Sequence, residues 1–312
     1  MCGIAGVIGH KTDNKLLTNM LASQEHRGPD NTGVFESEGV LLGHNRLAII
    51  DLSTDSNQPF SEVSEQYTIT FNGEIYNYIE LKKELKEYNF KTNSDTEVLL
   101  ASYIKWGVKC LEKLNGMFSF AIWDAKENKL FAARDRFGVK PFFYHIKNDV
   151  FYFASEIKAL FAAGISNRKN EKVWANYFAY GSYGMPNETF YKDIHQLSGS
   201  HYLEFKQGEL NIKKWYHFEK EVQKYNQSES FNSVKEKYKS LLEDSIRLRF
   251  RADVNIGFNI SGGLDSSALL LFVNKLEGKQ NIKAYTFYTD DERYDELFWV
   301  KEMLKHTNNP LT

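Results

Sequence analysis

The chain contains few of the residues that cross-link or kink a protein. Its 312 residues include two cysteines, Cys2 and Cys110, and five prolines. So few cysteines exclude a framework of several disulfides and indicate a reducing compartment, so we expect a cytoplasmic protein. The longest apolar run, ALLLFV near residue 270, is far too short to cross a bilayer, and the first residues do not have the basic and apolar regions of a secretory signal.

A large excess of charge of either sign is also absent. The 39 lysine and arginine residues nearly balance the 41 aspartate and glutamate residues, which gives a formal net charge of −2. A nucleic-acid-binding domain normally carries a strong positive excess, so we expect no nucleic acid and no membrane among the partners. The apolar content of 42% and the charged content of 26% are those of an ordinary globular protein, and the length allows about two domains.

Two different sequence patterns divide the chain. Residues 2–215 contain short runs of β-prone and aromatic residues between turn residues, which favours a largely antiparallel sheet with interspersed helices. Residues 78–88 carry an apolar face at spacings of three and four, which predicts a helix. Ser94 and Glu97 form the pattern of a capping box at the start of a second helix. This part of the chain is therefore expected to be an α+β domain.

A polar segment at 216–230 is predicted to be a linker. Beyond it, residues 231–312 begin with a helical apolar stripe, which is followed by a strand, a glycine turn, a helix and a second strand at 282–288. Strand, helix and strand at this spacing predict a parallel βαβ unit, as in an α/β domain. Because one such unit leaves most of a parallel sheet unpaired, we expect this second domain to be incomplete.

The second residue of the chain is a candidate nucleophile. Cys2 directly precedes an apolar, glycine-containing segment, Gly3 to Ile8, which is typical of a buried strand. Removal of Met1 would leave a thiol and a free α-amine on one residue, and an amine with a pKa of about 8 can accept the thiol proton near neutral pH. The dipeptide Met-Cys alone would favour the interpretation that a cysteine occupies the second position by chance, without a catalytic role. Cys110, within WGVKCLEKL, is expected to be a small buried helix residue.

Five further segments occur in order after this start. They are EHRGPD (25–30), GHNRLAIIDL (43–52), TFNGEIYN (70–77), NSDTE (93–97) and RDRFGVKPFFY (134–144). Together with MCGIAG they closely resemble the glutaminase domain of class II glutamine amidotransferases, and within these the glutamine-hydrolysing asparagine synthetases. The resemblance implies an N-terminal nucleophile hydrolase fold with four αββα layers, and glutamine hydrolysis at Cys2. His26, Arg27 and Asp30 are expected to order a loop.

The same resemblance assigns a glutamine-binding site. Amide hydrolysis requires donors for a developing oxyanion, which the side chain of Asn72 and the backbone N–H of Gly73 would supply; the residues alone favour an Asn-Gly hairpin turn. Arg46 would bind the α-carboxylate of glutamine, or would otherwise form a structural ion pair. Asp95, with Glu74 nearby, would bind the α-ammonium. As a first-turn acid, Asp95 would also suit the start of a helix.

A second motif, ISGGLDSSALL at 260–270, follows the predicted strand and opens the predicted helix. Backbone N–H groups in a glycine turn and at a helix N-terminus can surround an anion, and the absence of a lysine after the glycines excludes a Walker A loop. SGG alone is common in loops, but SGGLDSS resembles the pyrophosphate-binding loop of ATP pyrophosphatases. The resemblance implies that ATP is bound by Ser261, Gly262, Gly263, Asp265, Ser266 and Ser267. Asp265 would also hold Mg²⁺.

The two resemblances together imply a glutamine-dependent ligase. Cys2 would hydrolyse glutamine to glutamate and ammonia, and a complete second domain would use ATP to activate aspartate as an acyl-adenylate, giving asparagine, AMP and pyrophosphate. Three alternatives stay open: another carboxylate or a sugar as the acceptor, a truncated chain with glutaminase activity only, and a non-catalytic role. The family continues beyond DDERYDE (290–296 region) with further aspartate and ATP segments, so the present chain is expected to lack synthetase activity. Assembly as a homodimer is also left open.

Overall fold

A computed structural model describes residues 2–9, 13–224, 229–276, 282–291 and 293–312. The chain divides into two compact units, Met1–Lys224 and Tyr225–Thr312. Within the described ranges, every helix is too short or too polar to pass through a bilayer.

The first unit is built on two six-stranded sheets. The first sheet contains β1 (Gly3–Ile8), β2 (Asn31–Ser37), β3 (Val40–Arg46), β8 (Phe143–Lys147), β9 (Val150–Ala154) and β10 (His195–Gln196), in the order β10-β8-β9-β1-β3-β2. The second contains β4 (Phe60–Ser61), β5 (Tyr67–Ile75), β6 (Gly116–Asp124), β7 (Lys129–Arg134), β11 (His201–Lys206) and β12 (Glu209–Lys214), in the order β12-β11-β7-β6-β5-β4. Neighbouring strands pair antiparallel in both sheets, as the sequence predicts.

Strand β1 lies inside the first sheet, between β3 and β9. All six of its residues are buried, so the strand predicted at Gly3 to Ile8 is confirmed. A Cβ at Gly6 would lie 2.2 Å from the ring of Phe153, so glycine lets that ring pack directly on the strand. The result is a fixed strand that begins one residue after Cys2.

The two sheets face each other across an apolar core. Ile4 and Phe153 of the first sheet belong to the same buried cluster as Trp123 and Phe205 of the second. Each sheet also has an outer face that helices cover. Helices α1 (Asn14–Ser23) and α5 (Ile157–Ala162) pack on the first sheet, and α2 (Tyr78–Glu84), α3 (Asp95–Trp106) and α4 (Cys110–Lys113) pack on the second. The first unit therefore has helix, sheet, sheet and helix layers.

The predicted starts of the helices agree with the structure more closely than their predicted ends. Ser94 caps α3, and its Oγ accepts a hydrogen bond from the backbone N–H of Glu97 at 3.2 Å. The carboxylate of Glu97 accepts from the backbone of Lys91 and Thr92 instead of returning to Ser94, so the predicted capping box is half formed. Helix α2 ends at Glu84, before the end of the predicted apolar face. Cys110 is buried at the start of α4, as expected.

Two further helices complete the first unit, α6 (Glu171–Tyr180) and α7 (Phe218–Gln223). Helix α7 lies within the segment predicted to be a linker, 216–230, so part of that segment is ordered. Its residues 225–228 lie outside the described part of the chain.

The second unit contains the predicted βαβ unit. Strands β13 (Gly257–Asn259) and β14 (Lys283–Tyr285) pair in parallel, and α9 (Leu264–Lys275) comes between them in the chain. Both strands are shorter than the apolar runs that predict them. Ile260, Leu270, Ala284 and Val300 form a small core, to which α10 (Leu297–Leu304) contributes.

The unit also contains α8 (Phe231–Arg249), the helix that the apolar stripe predicts. Of that stripe, Ile246 is buried, whereas Phe231, Val234 and Tyr238 are exposed. The described residues therefore cover only the end of this helix.

Candidate active site

A pocket in the first unit brings together all six residues that the sequence nominates there: Cys2, Arg46, Asn72, Gly73, Glu74 and Asp95. Its walls come from the residue before β1, the end of β3 and the segment after it, the second half of β5, and the start of α3. Lys140, in the loop after β7, completes the lining. Residues from five separate parts of the sequence therefore meet at one place.

Hydrogen bonds hold both the side chain and the backbone of Cys2. Its Sγ accepts a hydrogen bond from the backbone N–H of Leu47 at 3.4 Å, and its carbonyl oxygen accepts one from Nε of Arg27 at 2.9 Å. Arg27 in turn pairs with Glu156 at 3.1 Å. Arg27 therefore orders the nucleophile segment itself, in addition to the loop role expected for it.

The surroundings of the thiol disfavour its ionised form. Burial raises the pKa of Cys2, while the Leu47 N–H acts in the opposite direction. The negative charge of Asp95 raises the pKa further, and the positive charge of Lys140 lowers it. A reaction at this sulfur therefore needs a base or a nearby cation.

Asn72 carries a buried amide that is not satisfied by the protein. Neither Oδ1 nor Nδ2 has a hydrogen-bond partner among the described residues, although the side chain is fully buried. Leaving such a group unpaired costs about 1–3 kcal/mol, so a buried unpaired amide in a pocket indicates a place kept for a ligand.

The Asn-Gly pair does not form a turn. Strand β5 runs through it without interruption, with Asn72 opposite Ser119 and Gly73 opposite Phe118. The hairpin-turn interpretation is therefore wrong. A Cβ at Gly73 would lie 2.3 Å from the carbonyl oxygen of Met117, so glycine is required because β6 packs against the backbone at this position.

Arg46, the last residue of β3, anchors the loop at 51–57. Its Nη1 donates to the carbonyl oxygen of Ser53 at 2.7 Å and to Oδ1 of Asn57 at 2.8 Å, and its Nη2 donates to the carbonyl oxygen of Asp51. These partners are neutral oxygens, so the structural ion pair considered as an alternative is not seen among the described residues. The buried guanidinium keeps a positive charge at the pocket wall, which suits an anionic ligand.

Two carboxylates lie on the same pocket, Glu74 on β5 and Asp95 at the start of α3. Oδ2 of Asp95 accepts from the backbone N–H of Ile75 at 2.9 Å. Burial raises the pKa of Asp95 to about 7, with a contribution from the charge of Glu74 and against the effect of the Ile75 hydrogen bond. A cationic group bound here would relieve the repulsion between the two carboxylates.

Among the lining residues that were not nominated from the sequence, Lys140 and Gln58 are two with long polar side chains. Lys140 is 3% exposed although it is a lysine, and its place in the aromatic motif RDRFGVKPFFY is the feature that could have revealed it. Gln58 accepts from the N–H of Phe71 at 2.7 Å and donates to Oγ1 of Thr96 at 3.1 Å. It ties β5 to α3, and nothing in its local sequence indicates this.

In the second unit, the six residues nominated for ATP lie in one loop and the first turn of α9. The loop follows β13, and Gly262 has a φ of +72°, which favours glycine. The hydroxyls are bonded within the loop: Oγ of Ser266 accepts from the N–H of Ser261 at 3.3 Å and donates to the carbonyl oxygen of Gly263 at 3.2 Å. The arrangement fits a phosphate group, because a glycine turn, hydroxyls and a helix N-terminus converge there.

A metal site is less complete than the phosphate loop. In the described part of the chain there is no group of three or more His, Cys, Asp or Glu residues suited to a metal ion. Asp265 is exposed in the first turn of α9 and offers one carboxylate. Mg²⁺ is commonly bound by one or two carboxylates together with substrate phosphates, so Asp265 fits that ion only alongside a bound nucleotide.

The fold and the pocket define a class of protein. Facing antiparallel sheets between helical layers, with a cysteine just before an inner strand, are the features of N-terminal nucleophile amidotransferases. A solved structure of glutamine phosphoribosylpyrophosphate amidotransferase from B. subtilis shares this fold with a TM-score of 0.54, at 20% identity, and the match covers 69% of this chain and 49% of that one. The fold class predicted for the first part of the chain is confirmed.

The chain belongs to the glutamine amidotransferase domain family, whose model matches residues 1–216. An asparagine synthase family model matches residues 237–311. Among curated relatives, asparagine synthetase [glutamine-hydrolyzing] 3 of Bacillus subtilis is 37% identical over 99% of this chain and 51% of its own length. Putative asparagine synthetase [glutamine-hydrolyzing] 2 of Methanocaldococcus jannaschii is 36% identical over 96% of this chain and 62% of its own length. The chain thus spans about half to three-fifths of these relatives.

Proposed function

We propose that the first unit hydrolyses the side-chain amide of glutamine, with Cys2 as the nucleophile. The observation that carries the proposal is the unpartnered amide of Asn72 in the same pocket as the Cys2 thiol. The thiolate attacks the amide carbon, and Nδ2 of Asn72 and the N–H of Gly73 donate to the oxygen as it becomes negative. The nitrogen takes up the proton that the thiol gave away and leaves as ammonia, and water then releases glutamate from the sulfur.

The pocket residues supply a partner for each end of the amino acid. Arg46 takes the α-carboxylate, and Asp95 with Glu74 takes the α-ammonium. The thiol proton passes to the free α-amine of Cys2 once Met1 has been removed, because the buried thiol does not ionise readily by itself. Both cysteines are unpaired, which supports a reducing, cytoplasmic location.

We infer that the second unit belongs to the ATP-using part of a glutamine-dependent carbon–nitrogen ligase of the asparagine synthetase type. Ser261, Gly262 and Gly263 would hold a phosphate group together with Ser266 and Ser267, and Asp265 would hold Mg²⁺ against it. When bound, ATP supplies the activation of an acceptor carboxylate, aspartate in the named relatives. Ammonia from the first unit is the nucleophile for that carboxylate.

The test measures glutamate released from glutamine by the full chain, with removal of Met1 verified by intact mass. We expect turnover by the wild type and none by Cys2→Ala. Cys110→Ala is the matched control, because that thiol is buried at α4 away from the pocket lining. Glutaminase activity retained by Cys2→Ala would overturn the assignment of the nucleophile.

A further inference from the structure

The loop that carries Lys140 is fixed by two side chains at the end of β7. The carboxylate of Asp135 accepts from the backbone N–H groups of Phe137, Val139 and Lys140 at 3.1, 2.9 and 3.0 Å. Arg134 donates to the carbonyl oxygens of Lys140 and Gly138 from the other side. A loop held in this way presents the side chain of Lys140 from one defined position.

The side chain of Lys140 lies on the wall of the pocket that contains Cys2. Lys140 is 3% exposed and lines the pocket together with Cys2 and Glu74. Burying an ammonium group costs free energy unless opposite charge is near. The groups that act on its charge come from four elements: Glu74 of β5, the Cys2 sulfur before β1, Arg27 of the turn at 25–27, and Asp135 of its own loop.

Two arginines near the sulfur donate hydrogen bonds to oxygen atoms of neighbouring segments. Arg46 directs its guanidinium at oxygens of the loop 51–57. Arg27 shares its charge with Glu156 and uses Nε on the carbonyl oxygen of Cys2. Lys140 lines the pocket together with the sulfur, and its positive charge favours the sulfur anion, whereas the negative charge of Asp95 opposes it.

We propose that Lys140 is a positioning residue that supplies the positive charge needed for a thiolate to form at Cys2 inside this buried pocket. The proposal rests on the proposed glutamine hydrolysis and adds a residue to it. No covalent step is assigned to the lysine. The thiol proton still moves to the α-amine of Cys2, and the ammonium stabilises the sulfur anion that remains.

The test is the rate at which iodoacetamide alkylates Cys2 of the full chain between pH 5.5 and 9.5, located by peptide mass spectrometry. Lys140→Met removes the charge and keeps the length of the side chain, Lys140→Gln is a second neutral variant, and Lys140→Arg restores the charge. Lys129→Met is the matched control, since Lys129 is a part-buried lysine at the opposite end of β7 and pairs with Glu204.

For both neutral variants we expect the midpoint of Cys2 alkylation to rise by about one pH unit, with about tenfold slower alkylation at pH 7. The acidic limb of kcat/KM for glutamine should move with it, while Lys140→Arg and Lys129→Met stay near wild type. An unchanged midpoint in a neutral variant with wild-type Tm would overturn the proposal, as would a rise in KM without a shifted midpoint. Because alkylation needs no turnover, a shifted midpoint in a protein that does not hydrolyse glutamine would uphold the lysine and reject the proposed function.

Discussion

The pocket around Cys2 and the SGGLDSS loop differ in how their polar groups are used before any ligand binds. In the pocket, Arg46, Asp95 and Cys2 are each bonded to neighbouring backbone, and the Asn72 amide is left unpaired. In the loop, the hydroxyls of Ser261 and Ser266 contact each other at 3.2 Å. A ligand entering the pocket meets groups already in position, whereas a phosphate entering the loop must replace bonds. Electrostatic preorganisation of this kind is what accelerates acyl transfer.

A substitution of Asn72 is the strongest test of this difference between the pocket and the loop, because it should have the largest effect. We expect Asn72→Ala to lower kcat by about two to three orders of magnitude, the usual effect of losing one oxyanion donor, with a much smaller change in KM. Steady-state glutaminase kinetics measure it. Asn72→Asp keeps the shape and replaces the donor by an acceptor, so it should lose as much kcat. Near-wild-type turnover in the aspartate variant would mean that the unpaired amide is not an oxyanion donor.

A smaller effect is expected at Arg46. Arg46→Lys keeps the charge and loses the planar pair of donors, so KM for glutamine should rise about tenfold, within the range for a charge-assisted hydrogen bond, while kcat changes little. Arg168→Lys, at an exposed ion pair, is the control.

Arg46→Lys should also weaken the hydrogen bonds that hold the loop 51–57. A second substrate therefore separates the effect on carboxylate binding from the effect on the loop. The amide 4-aminobutyramide has the side-chain amide and the amine of glutamine but no carboxylate. If Arg46 binds the carboxylate, Arg46→Lys should handle this amide as the wild type does. A tenfold loss on both substrates would assign Arg46 to the loop alone.

Asn72 and Arg46 also show which features could be predicted from the sequence and which could not. Strand β1, the cap at Ser94 and the βαβ unit depend on local patterns, and they were predicted correctly. The continuation of β5 through Asn72 depends on pairing with β6, more than 40 residues away, so the local Asn-Gly pattern misled. The bonds of Arg46 and the burial of Lys140 likewise depend on tertiary packing, which overrides local preference. The apolar stripe on α8 predicted that the helix forms, but not how much of the stripe is buried.

Asp95 makes glutamine binding depend on pH. Its pKa is raised to about 7, and only the ionised carboxylate pairs with the substrate ammonium. KM for glutamine should therefore be about tenfold higher at pH 6 than at pH 8, measured with kcat at each pH. Asp95→Asn should have a high KM that is flat over this range. Glutaramic acid, which lacks the ammonium, is the control substrate, and an equal pH dependence for it would remove Asp95 from the role.

The same shift predicts a stability effect of defined sign. The unfolded carboxyl titrates near 3.9, so between about pH 4 and 7 the folded chain holds a proton that the unfolded chain has lost. Stability from this group therefore falls as pH rises through that range. The difference in Tm between Asp95→Asn and the wild type should move in favour of the variant from pH 4 to pH 7, and a constant difference would contradict the raised pKa.

The smallest effect belongs to the loop of the second unit. Ser266→Ala removes a hydroxyl that is bonded within the loop, so we expect ATP in the presence of Mg²⁺ to bind about two- to tenfold more weakly, the range of one neutral hydrogen bond. Isothermal titration of the full chain measures this, with Ser245→Ala on α8 as the control. Because the loop hydroxyls already bond one another, the lost contact is partly offset by the freed loop, which keeps the effect below that of Asn72→Ala. Glutaminase turnover should stay within about twofold of wild type; a loss comparable to that of Asn72→Ala would mean that Ser266 does not act in nucleotide binding alone.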